Sequence, residues 1–312
     1  MILNVRLLLL TSMALIAFAA NSLLCRWALA GQQIDPLSFT LIRLLSGALM
    51  LLILYKVFER KKAGPLFSLQ CNTPSTRSGK WKPWFSLFEP FLLFTYALGF
   101  SFAYLSLDTG IGALVLFAAV QISMIGLNIL KGDQPNPCQW LGIIVSFSGF
   151  IYLLLPTLSS PSLLGFILMT VAGVSWGIYS LRAKEANAFS DSPLARSARN
   201  FIWAVPFSII IMLIGVLLSG SSQIKVMIDG VYFAVISGAI TSGIGYAIWY
   251  QVLKQLNATL ASVSQLLVPV IATAMGIIIL GEEINQHFIL ATLMVLGGVV
   301  LVLFVPTNKH NA

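Results

Sequence analysis

The chain carries one pattern of charged and glycine residues twice. Three charged residues recur 156 positions later: Arg26, Asp35 and Arg43 correspond to Arg182, Asp191 and Arg199. A second set recurs 149 positions later: Leu107, Gly132 and Gly149 correspond to Leu256, Gly281 and Gly298. The difference of seven residues predicts an insertion in a loop of the first copy. Each copy contains five apolar spans, and because five is odd, the second copy must enter a membrane with the opposite orientation.

The composition places these repeats in a lipid bilayer. Hydrophobic residues make up 58% of the 312 positions and charged residues only 9%, whereas soluble proteins carry about 25% charged residues. The sequence therefore predicts an all-α polytopic membrane protein. We expect one transmembrane domain built from a first repeat at residues 7–155 and a second repeat at residues 163–305. Inverted repeats of this kind are a recurring architecture of secondary transporters.

A membrane-spanning helix needs about 20 mostly apolar residues, and ten segments meet this description. They are Leu7–Trp27, Pro36–Tyr55, Phe85–Leu107, Gly110–Leu130, Trp140–Leu155, Leu163–Leu181, Asn200–Leu218, Val231–Leu253, Ala258–Leu280 and Phe288–Val305. Each should be helical because backbone amides find no water in hydrocarbon.

The basic residues predict the orientation. With the N-terminus in the cytosol, 15 of the 18 Lys and Arg residues lie on the cytosolic side, and only Arg26 and Lys225 lie outside. Arg43 lies within a span. This bias follows the positive-inside rule, and it predicts a multi-pass inner (plasma) membrane protein with both termini in the cytoplasm. It also explains the net charge of +8 without a nucleic-acid partner.

The loop at residues 56–84 is a basic insertion rich in Gly and Pro. We expect it to be cytosolic, and its charges to contact anionic lipid headgroups or simply to be solvated. The sequence leaves both interpretations open.

Motifs for zinc-dependent proteolysis or ATP hydrolysis do not occur in the sequence. His287 and His310 are the only histidines, and there is no H-E-x-x-H or G-x-x-x-x-G-K motif. One G-x-S-x-G match, Gly173–Gly177, lies inside a predicted span, and no histidine lies at depth to pair with its serine. We therefore predict a protein that is not an enzyme, with neither a cofactor nor a metal site. The expected partners are a small-molecule substrate and the bilayer.

Arg43 is the one cation deep inside a predicted span. A charge at the bilayer centre costs about 2.5–3.5 kcal/mol on insertion scales. Three interpretations stay open: the side chain reaches back to the interface, it forms a structural ion pair, or it contacts an anionic group of a substrate. Arg26 and Arg182, at the ends of the first and sixth spans, are predicted interface anchors.

Polar uncharged residues at depth form a second group of candidates. Asn21, Gln121, Tyr179 and Gln265 lie on the first, fourth, sixth and ninth spans. A buried amide costs free energy unless it is hydrogen-bonded. Bonds between helices explain each residue singly, but together they favour a polar central cavity.

Aromatic residues and a proline complete the predicted site. Tyr104, Trp176 and Trp249 lie inside spans rather than in an interfacial belt, which indicates either core packing or a cavity lining. Pro269 lies in the ninth span and should kink it, because proline removes a backbone hydrogen bond. A bent helix near the midplane is a typical pointer to a binding site.

The second copy contains recognisable motifs. They are Asn257-Ala-Thr-Leu-Ala-Ser-Val-Ser-Gln-Leu-Leu-Val-Pro269, Ile279-Leu-Gly-Glu-Glu283 and Gly297-Gly298. This copy resembles the EamA repeat of the drug/metabolite transporter superfamily. The first copy is similar through Tyr104-Leu-Ser-Leu, Gly132-Asp133 and Gly149. It departs from the family pattern by lacking the proline, by having Asp133 where a glutamate is usual, and by its long loop.

The resemblance implies a ten-helix fold with alternating access around a central cavity, and gradient-driven export of small metabolites or amino acids. The family's cavity is formed mainly by helices 1, 3, 4, 6, 8 and 9. We therefore predict a secondary transporter with these cavity residues: Asn21, Arg43, Tyr104, Gln121, Trp176, Tyr179, Trp249 and Gln265. The rival predictions are a membrane-embedded enzyme and a non-transporting scaffold or sensor. The sequence fits a monomer or a homodimer.

Overall fold

A computed structural model describes residues 5–58, 87–130, 136–154, 162–186, 192–219, 224–253, 255, 264–283 and 286–304. Within these residues the chain forms ten helical spans and no β-strand. We number them α1 (Val5–Ala30), α2 (Pro36–Phe58), α3 (Phe88–Ala103), α4 (Thr109–Leu130), α5 (Pro137–Leu154), α6 (Ser162–Ala186), α7 (Pro193–Ser219), α8 (Ile228–Leu253), α9 (Leu267–Leu280) and α10 (Gln286–Phe304).

Six of these helices are long and apolar enough to cross a membrane: α1, α2, α4, α6, α7 and α8. Helices α3, α9 and α10 are shorter and also apolar. The all-helical prediction is thus confirmed for the part of the chain described. The predicted loop at 56–84 lies outside it except for residues 56–58, as do residues 258–263 of the predicted ninth span.

Three predicted boundaries were wrong by more than a turn, and one of them is the end of α6, which lies at Ala186 rather than at Leu181. Helix α3 ends at Ala103. The segment from Tyr104 to Leu107 forms turns, in which the backbone N–H groups donate to carbonyls three or four residues earlier. Helix α7 begins at Pro193 rather than at Asn200. A proline suits the first helical turn because it has no N–H, and an N–H at that position would have no partner within the helix. The apolar run alone therefore underestimated α7.

The helices pack in a pattern that repeats when each is exchanged for the helix five places away. Helix α3 packs on α6, and correspondingly α8 packs on α1. Helix α4 packs on α6, and correspondingly α9 packs on α1. Helix α2 packs on α8, and correspondingly α7 packs on α3. The three remaining major pairs are α2 with α7, α4 with α9 and α5 with α10, which exchange onto themselves.

Segments predicted to lie outside the membrane contact one another. The turn after α1 and the segment before α8 pair in antiparallel fashion: the Asp35 N–H donates to the Lys225 carbonyl, and the Met227 N–H donates to the Gln33 carbonyl, both at 2.8 Å. At the predicted outer ends of α5 and α10, the rings of Tyr152 and His287 stack with centroids 4.0 Å apart. Both contacts join segments that the prediction places on the outer side, so they agree with spans that cross the membrane in alternating directions.

Helices α8 and α9 each contain a π-helical segment. In α8 it runs over Ser237–Ile244, between α-helical turns at Ile228–Ile236 and Gly245–Leu253. In α9 it runs over Gly276–Leu280, and the next residue, Gly281, caps the helix with a left-handed φ of 67°. π-Helical turns occur frequently at functional sites. At Gly238, α8 lies so close to α2 that a Cβ atom would overlap the Arg43 carbonyl.

Candidate substrate cavity

A small cavity lies between helices α1, α3, α4, α6 and α8. Its aromatic lining comprises Phe18, Tyr96, Phe100, Phe117, Trp176 and Tyr246. Its polar lining comprises Asn21, Ser22 and Thr241. The volume of the cavity is about 20 Å³, enough for one or two waters. In this conformation the cavity is therefore too small for an organic solute, and solute entry requires the helices to separate.

Trp176 is at the centre of the aromatic lining. Its ring centroid lies 4.9 Å from that of Tyr96, 5.0 Å from Tyr246 and 5.4 Å from Tyr179. Such tilted aromatic pairs each contribute about 0.5–1.5 kcal/mol beyond simple burial. The cluster joins α3, α6 and α8, so side chains from both predicted repeats form one wall.

Asn21 supplies the polar side of the cavity. Its Oδ1 accepts hydrogen bonds from Ser237 Oγ at 2.6 Å and from Thr241 Oγ1 at 3.1 Å. Both donors belong to the π-helical segment of α8, so this network links α1 to the irregular part of α8. Asn21 was predicted either to line a cavity or to bond between helices, and its position allows it to do both.

Arg43 lies directly behind the aromatic wall. Its side chain is 2% exposed, and its Nη2 donates to Tyr96 Oη at 3.0 Å while Nε lies 3.4 Å from Ser242 Oγ. The guanidinium carbon also lies over the rings of Phe100 and Tyr96, 4.9 and 5.2 Å from their centroids. Arg43 is therefore enclosed by protein, and it forms no ion pair with a carboxylate of the described residues. Contact with an anionic group of a substrate stays a prediction.

The other predicted residues lie at varying distances from the cavity. Tyr179 contacts the lining residue Trp176, and Trp249 meets the lining residue Phe18 edge-on at 5.7 Å. Tyr104 is fully buried at the end of α3, where its hydroxyl donates to the Thr109 carbonyl at 3.4 Å, and it does not line the cavity.

The two predicted glutamines and the proline have less direct positions. Gln121 is buried in α4 and Gln265 is half-buried at the start of the described part of the ninth span; neither lines the cavity. The ninth span is interrupted at Leu266, three residues before Pro269. Because Pro269 has no N–H, it cannot bond to the Gln265 carbonyl, and this accounts for a break at that place.

A charged cluster joins α3, α6 and α7 at their predicted cytosolic ends, which we call the inner cluster: Glu89, Arg182, Arg196 and Asn200. Arg196 binds both carboxylate oxygens of Glu89, with Nε at 2.9 Å from Oε2 and Nη2 contacting Oε1. Arg182 Nε lies 3.7 Å from the same carboxylate. Asn200 Nδ2 donates to Glu89 and to Tyr179 Oη, both at 3.2 Å, so the cluster extends toward the aromatic wall.

A second charged cluster, the outer cluster, consists of Arg26, Asp108, Thr109 and Glu282. Arg26 Nη2 lies 2.8 Å from Asp108 Oδ1, and its Nε lies 3.8 Å from Glu282 Oε1. Glu282 also accepts the backbone N–H of Thr109 at 2.8 Å and its hydroxyl at 2.7 Å. A carboxylate at the first residue of α4 is favourable because the helix N-terminus carries unpaired donors and a partial positive charge.

Arg26 and Arg182 were predicted as interface anchors, and the structure adds ionic partners that were not predicted. Each forms an ion pair with a carboxylate, Arg26 with Asp108 and Arg182 with Glu89. Glu89 was not predicted as a functional residue, because it lies in the first turn of the third span, within an otherwise apolar run. The signal was present, since Glu89 is an acid within a predicted span and therefore needs a partner.

Comparisons with known proteins agree with this architecture. The model of the EamA-like transporter family matches residues 163–304. An uncharacterised protein of Pseudomonas aeruginosa is 41% identical over 298 residues, which cover 96% of this chain and 94% of that protein. A probable amino-acid metabolite efflux pump of Escherichia coli is 24% identical over 230 residues, covering 68% of this chain and 76% of the pump.

A solved crystal structure has the same fold. It superposes with a TM-score of 0.59, covering 93% of this chain and 96% of its own, at 19% sequence identity. A helical bundle of apolar spans around a small polar and aromatic cavity defines a multi-pass membrane protein. Together with the sequence matches, it shows that the chain belongs to the EamA-like transporter family.

Proposed function

We propose that this protein is a secondary transporter that exports a small organic metabolite by alternating access. It spans the inner membrane ten times as two inverted five-helix repeats, with both termini in the cytoplasm. The observation that carries the proposal is the cavity between two charged clusters, each of which joins the first half of the chain to the second. Opening either cluster would give the cavity access to one side of the membrane.

The packing of the helices supports the inverted repeats. Each major helix contact has a counterpart five helices away, as a pseudo-two-fold axis in the membrane plane requires. The matched family segment, residues 163–304, begins where the sequence predicts the second repeat to begin. In a repeat with an odd number of spans, Arg26 lies at the outer end of α1 and its counterpart Arg182 at the inner end of α6.

The two clusters supply the energetic barrier that alternation needs. The inner cluster joins Glu89 of the first half to Arg182 and Arg196 of the second. The outer cluster joins Glu282 of the second half to Arg26 and Thr109 of the first. Because a buried ion pair that is separated leaves charges partly uncompensated, each end should stay closed until water or solute replaces the lost contacts.

The rival predictions find less support. A non-transporting scaffold needs no cavity, yet aromatic and polar side chains from both halves enclose one. A membrane-embedded enzyme needs a base or a nucleophile at depth. Among the described residues, the carboxylates that form ion pairs lie at helix ends rather than at depth. The deeply buried Arg43 contacts the hydroxyls of Tyr96 and Ser242 through its own N–H groups, which donate hydrogen bonds and cannot act as a base.

The proposal is tested by a flux screen in proteoliposomes. Purified protein is reconstituted, and counterflow of amino acids, nucleosides and organic acids is measured against protein-free liposomes. We expect saturable flux of at least one class, reduced by Trp176→Ala and unchanged by Thr170→Val, because the Thr170 hydroxyl donates to the Phe166 carbonyl of its own helix. The absence of flux for all three classes, with protein that is monodisperse and oriented, would contradict the proposal.

A further inference from the structure

We propose that Arg43 is an anion-binding subsite of the cavity, and that the transported solute is a small carboxylate whose apolar body lies against the aromatic lining. This inference rests on the proposed transport function and adds the class of substrate. It begins from the difference between Arg43 and three other described arginines: Arg26, Arg182 and Arg196.

Those three arginines each have a carboxylate partner. Arg26 pairs with Asp108, and both Arg182 and Arg196 pair with Glu89. Arg43 is more deeply buried than any of them, yet its described partners are the neutral hydroxyls of Tyr96 and Ser242 and two aromatic rings. The deepest described cation of the bundle therefore has no negative charge beside it among the described side chains.

Its hydrogen bonding is also incomplete. Arg43 Nη1 is buried and has no hydrogen-bond partner among the described residues. A buried charge costs free energy unless it is paired and hydrogen-bonded, and a guanidinium presents a fork of donors that fits a carboxylate at two points. A solute carboxylate would supply both the missing charge and the missing acceptor.

The position of Arg43 connects it to the cavity. Tyr96 and Phe100, which lie against the guanidinium, both line the cavity on their other side. The Tyr96 hydroxyl accepts the Nη2 hydrogen bond in this closed conformation, so it holds the place that a carboxylate oxygen takes when the cavity opens. Ser242, the third neighbour, belongs to the π-helical segment of α8, where a change of helical register can move the wall.

The rest of the lining fits an apolar body. Trp176, Tyr246 and Phe117 face the same space, while the Asn21 Oδ1 already accepts hydrogen bonds from the hydroxyls of Ser237 and Thr241. Ring faces bind aliphatic and aromatic groups through dispersion and burial. The arrangement therefore selects a solute with one anionic end and a hydrophobic remainder.

The test compares acids with their matched neutral amides. Detergent-purified full-length protein is titrated calorimetrically with phenylacetate and phenylacetamide, and with 4-methylpentanoate and 4-methylpentanamide. We expect the wild type to bind each acid more tightly than its amide by about 10- to 100-fold, the range for a hydrogen-bonded ionic contact. The preference should survive in Arg43→Lys and disappear in Arg43→Gln. Arg199→Gln, at the corresponding position of the second repeat, should leave it unchanged.

The ratio of acid to amide affinity separates recognition from a structural role. If Arg43 only supports the fold, Arg43→Gln weakens acid and amide equally, and that result would overturn the inference. Equal binding of both by the wild type, or binding of neither, would overturn it as well, even if Arg43→Gln cannot be purified. A protein that shows flux of a neutral solute but no acid preference would keep the proposed function and lose this inference.

Discussion

Arg196 and Glu89 form a two-point ion pair that fastens α7 to α3 at the predicted cytosolic end of the bundle. The Arg196 Nε donates to Glu89 Oε2 at 2.9 Å and its Nη2 contacts Oε1. Only 10% of the Arg196 side chain and 12% of the Glu89 side chain are exposed, so water screens the pair poorly. Through this pair, α3 and α7 are held together at the inner end of the bundle.

The first prediction concerns this pair. Glu89→Gln removes the negative charge and leaves the nearly buried Arg196 and the half-buried Arg182 without their carboxylate. Removing one partner of a buried pair costs about 3–5 kcal/mol. We expect a value near the lower limit, measured as a marked fall in the apparent melting temperature of the purified protein. The exchange Glu89→Arg with Arg196→Glu should recover part of the loss.

Asp229→Asn is the matched control for this variant. Asp229 is also an acid in the first turn of a helix, but it is exposed. Its loss should leave the melting temperature unchanged. If Glu89→Gln melted like Asp229→Asn, the inner cluster would not restrain the bundle.

The second prediction concerns Gly238. A Cβ atom at this position would overlap the Arg43 carbonyl and the Ser46 hydroxyl, and the carbonyl belongs to a helix that cannot easily retreat. We expect Gly238→Ala to destabilise the protein by about 1–3 kcal/mol, the usual cost of overpacking, seen as earlier thermal unfolding in detergent.

Gly297→Ala provides the comparison, because a Cβ atom there meets nothing within 4 Å. In a helix, alanine is favoured over glycine by about 1 kcal/mol, so this variant should melt at the same temperature or higher. Equal melting of the two alanine variants would contradict the close approach of α8 to α2.

The third prediction separates stability from transport at Asn21. Its bonds to Ser237 and Thr241 join two helices, but hydrogen bonds between helices in membranes average only about 0.6 kcal/mol. Asn21→Ala should therefore melt within a few degrees of the wild type. Because Asn21 lines the cavity, its flux should fall much more than its stability. The measurement is proteoliposome flux normalised to folded protein, and a flux equal to that of Thr170→Val would contradict the assignment.

The sequence predicted the all-helical architecture because its cause is local. Long apolar runs without backbone partners in lipid must form helices, and the charge bias predicts which ends share a side. The contact between residues 33–35 and 225–227 agrees with that bias. By contrast, the start of α7 at Pro193 was missed because polar residues precede its apolar run.

The site was harder to predict because its geometry depends on neighbours distant in sequence. Polar and aromatic residues at depth were sufficient to find Asn21 and Trp176, which line the cavity. Tyr104 has the same chemistry but lies in the turn that follows α3. Its hydroxyl bonds to the Thr109 carbonyl and to Ser22, and Tyr104 itself does not line the cavity. The lining residue Phe117 carried no signal, since a phenylalanine in an apolar span is usually core. The π-helical segments also followed from no motif.

The most direct test of the account is whether the cavity opens to each side in turn. Ser22 lines the cavity and is 1% exposed, and Ser22→Cys is a small change in a background without the three native cysteines. The single cysteine is labelled with a membrane-impermeant maleimide in right-side-out and inside-out vesicles. Lys225→Cys and Gln255→Cys report the outer and inner faces, because both residues are exposed at predicted loops.

We predict that Ser22→Cys is labelled from both sides, whereas Lys225→Cys reacts only from outside and Gln255→Cys only from inside. Labelling of Ser22→Cys from a single side, or from neither, in vesicles that still catalyse flux would contradict alternating access through this cavity.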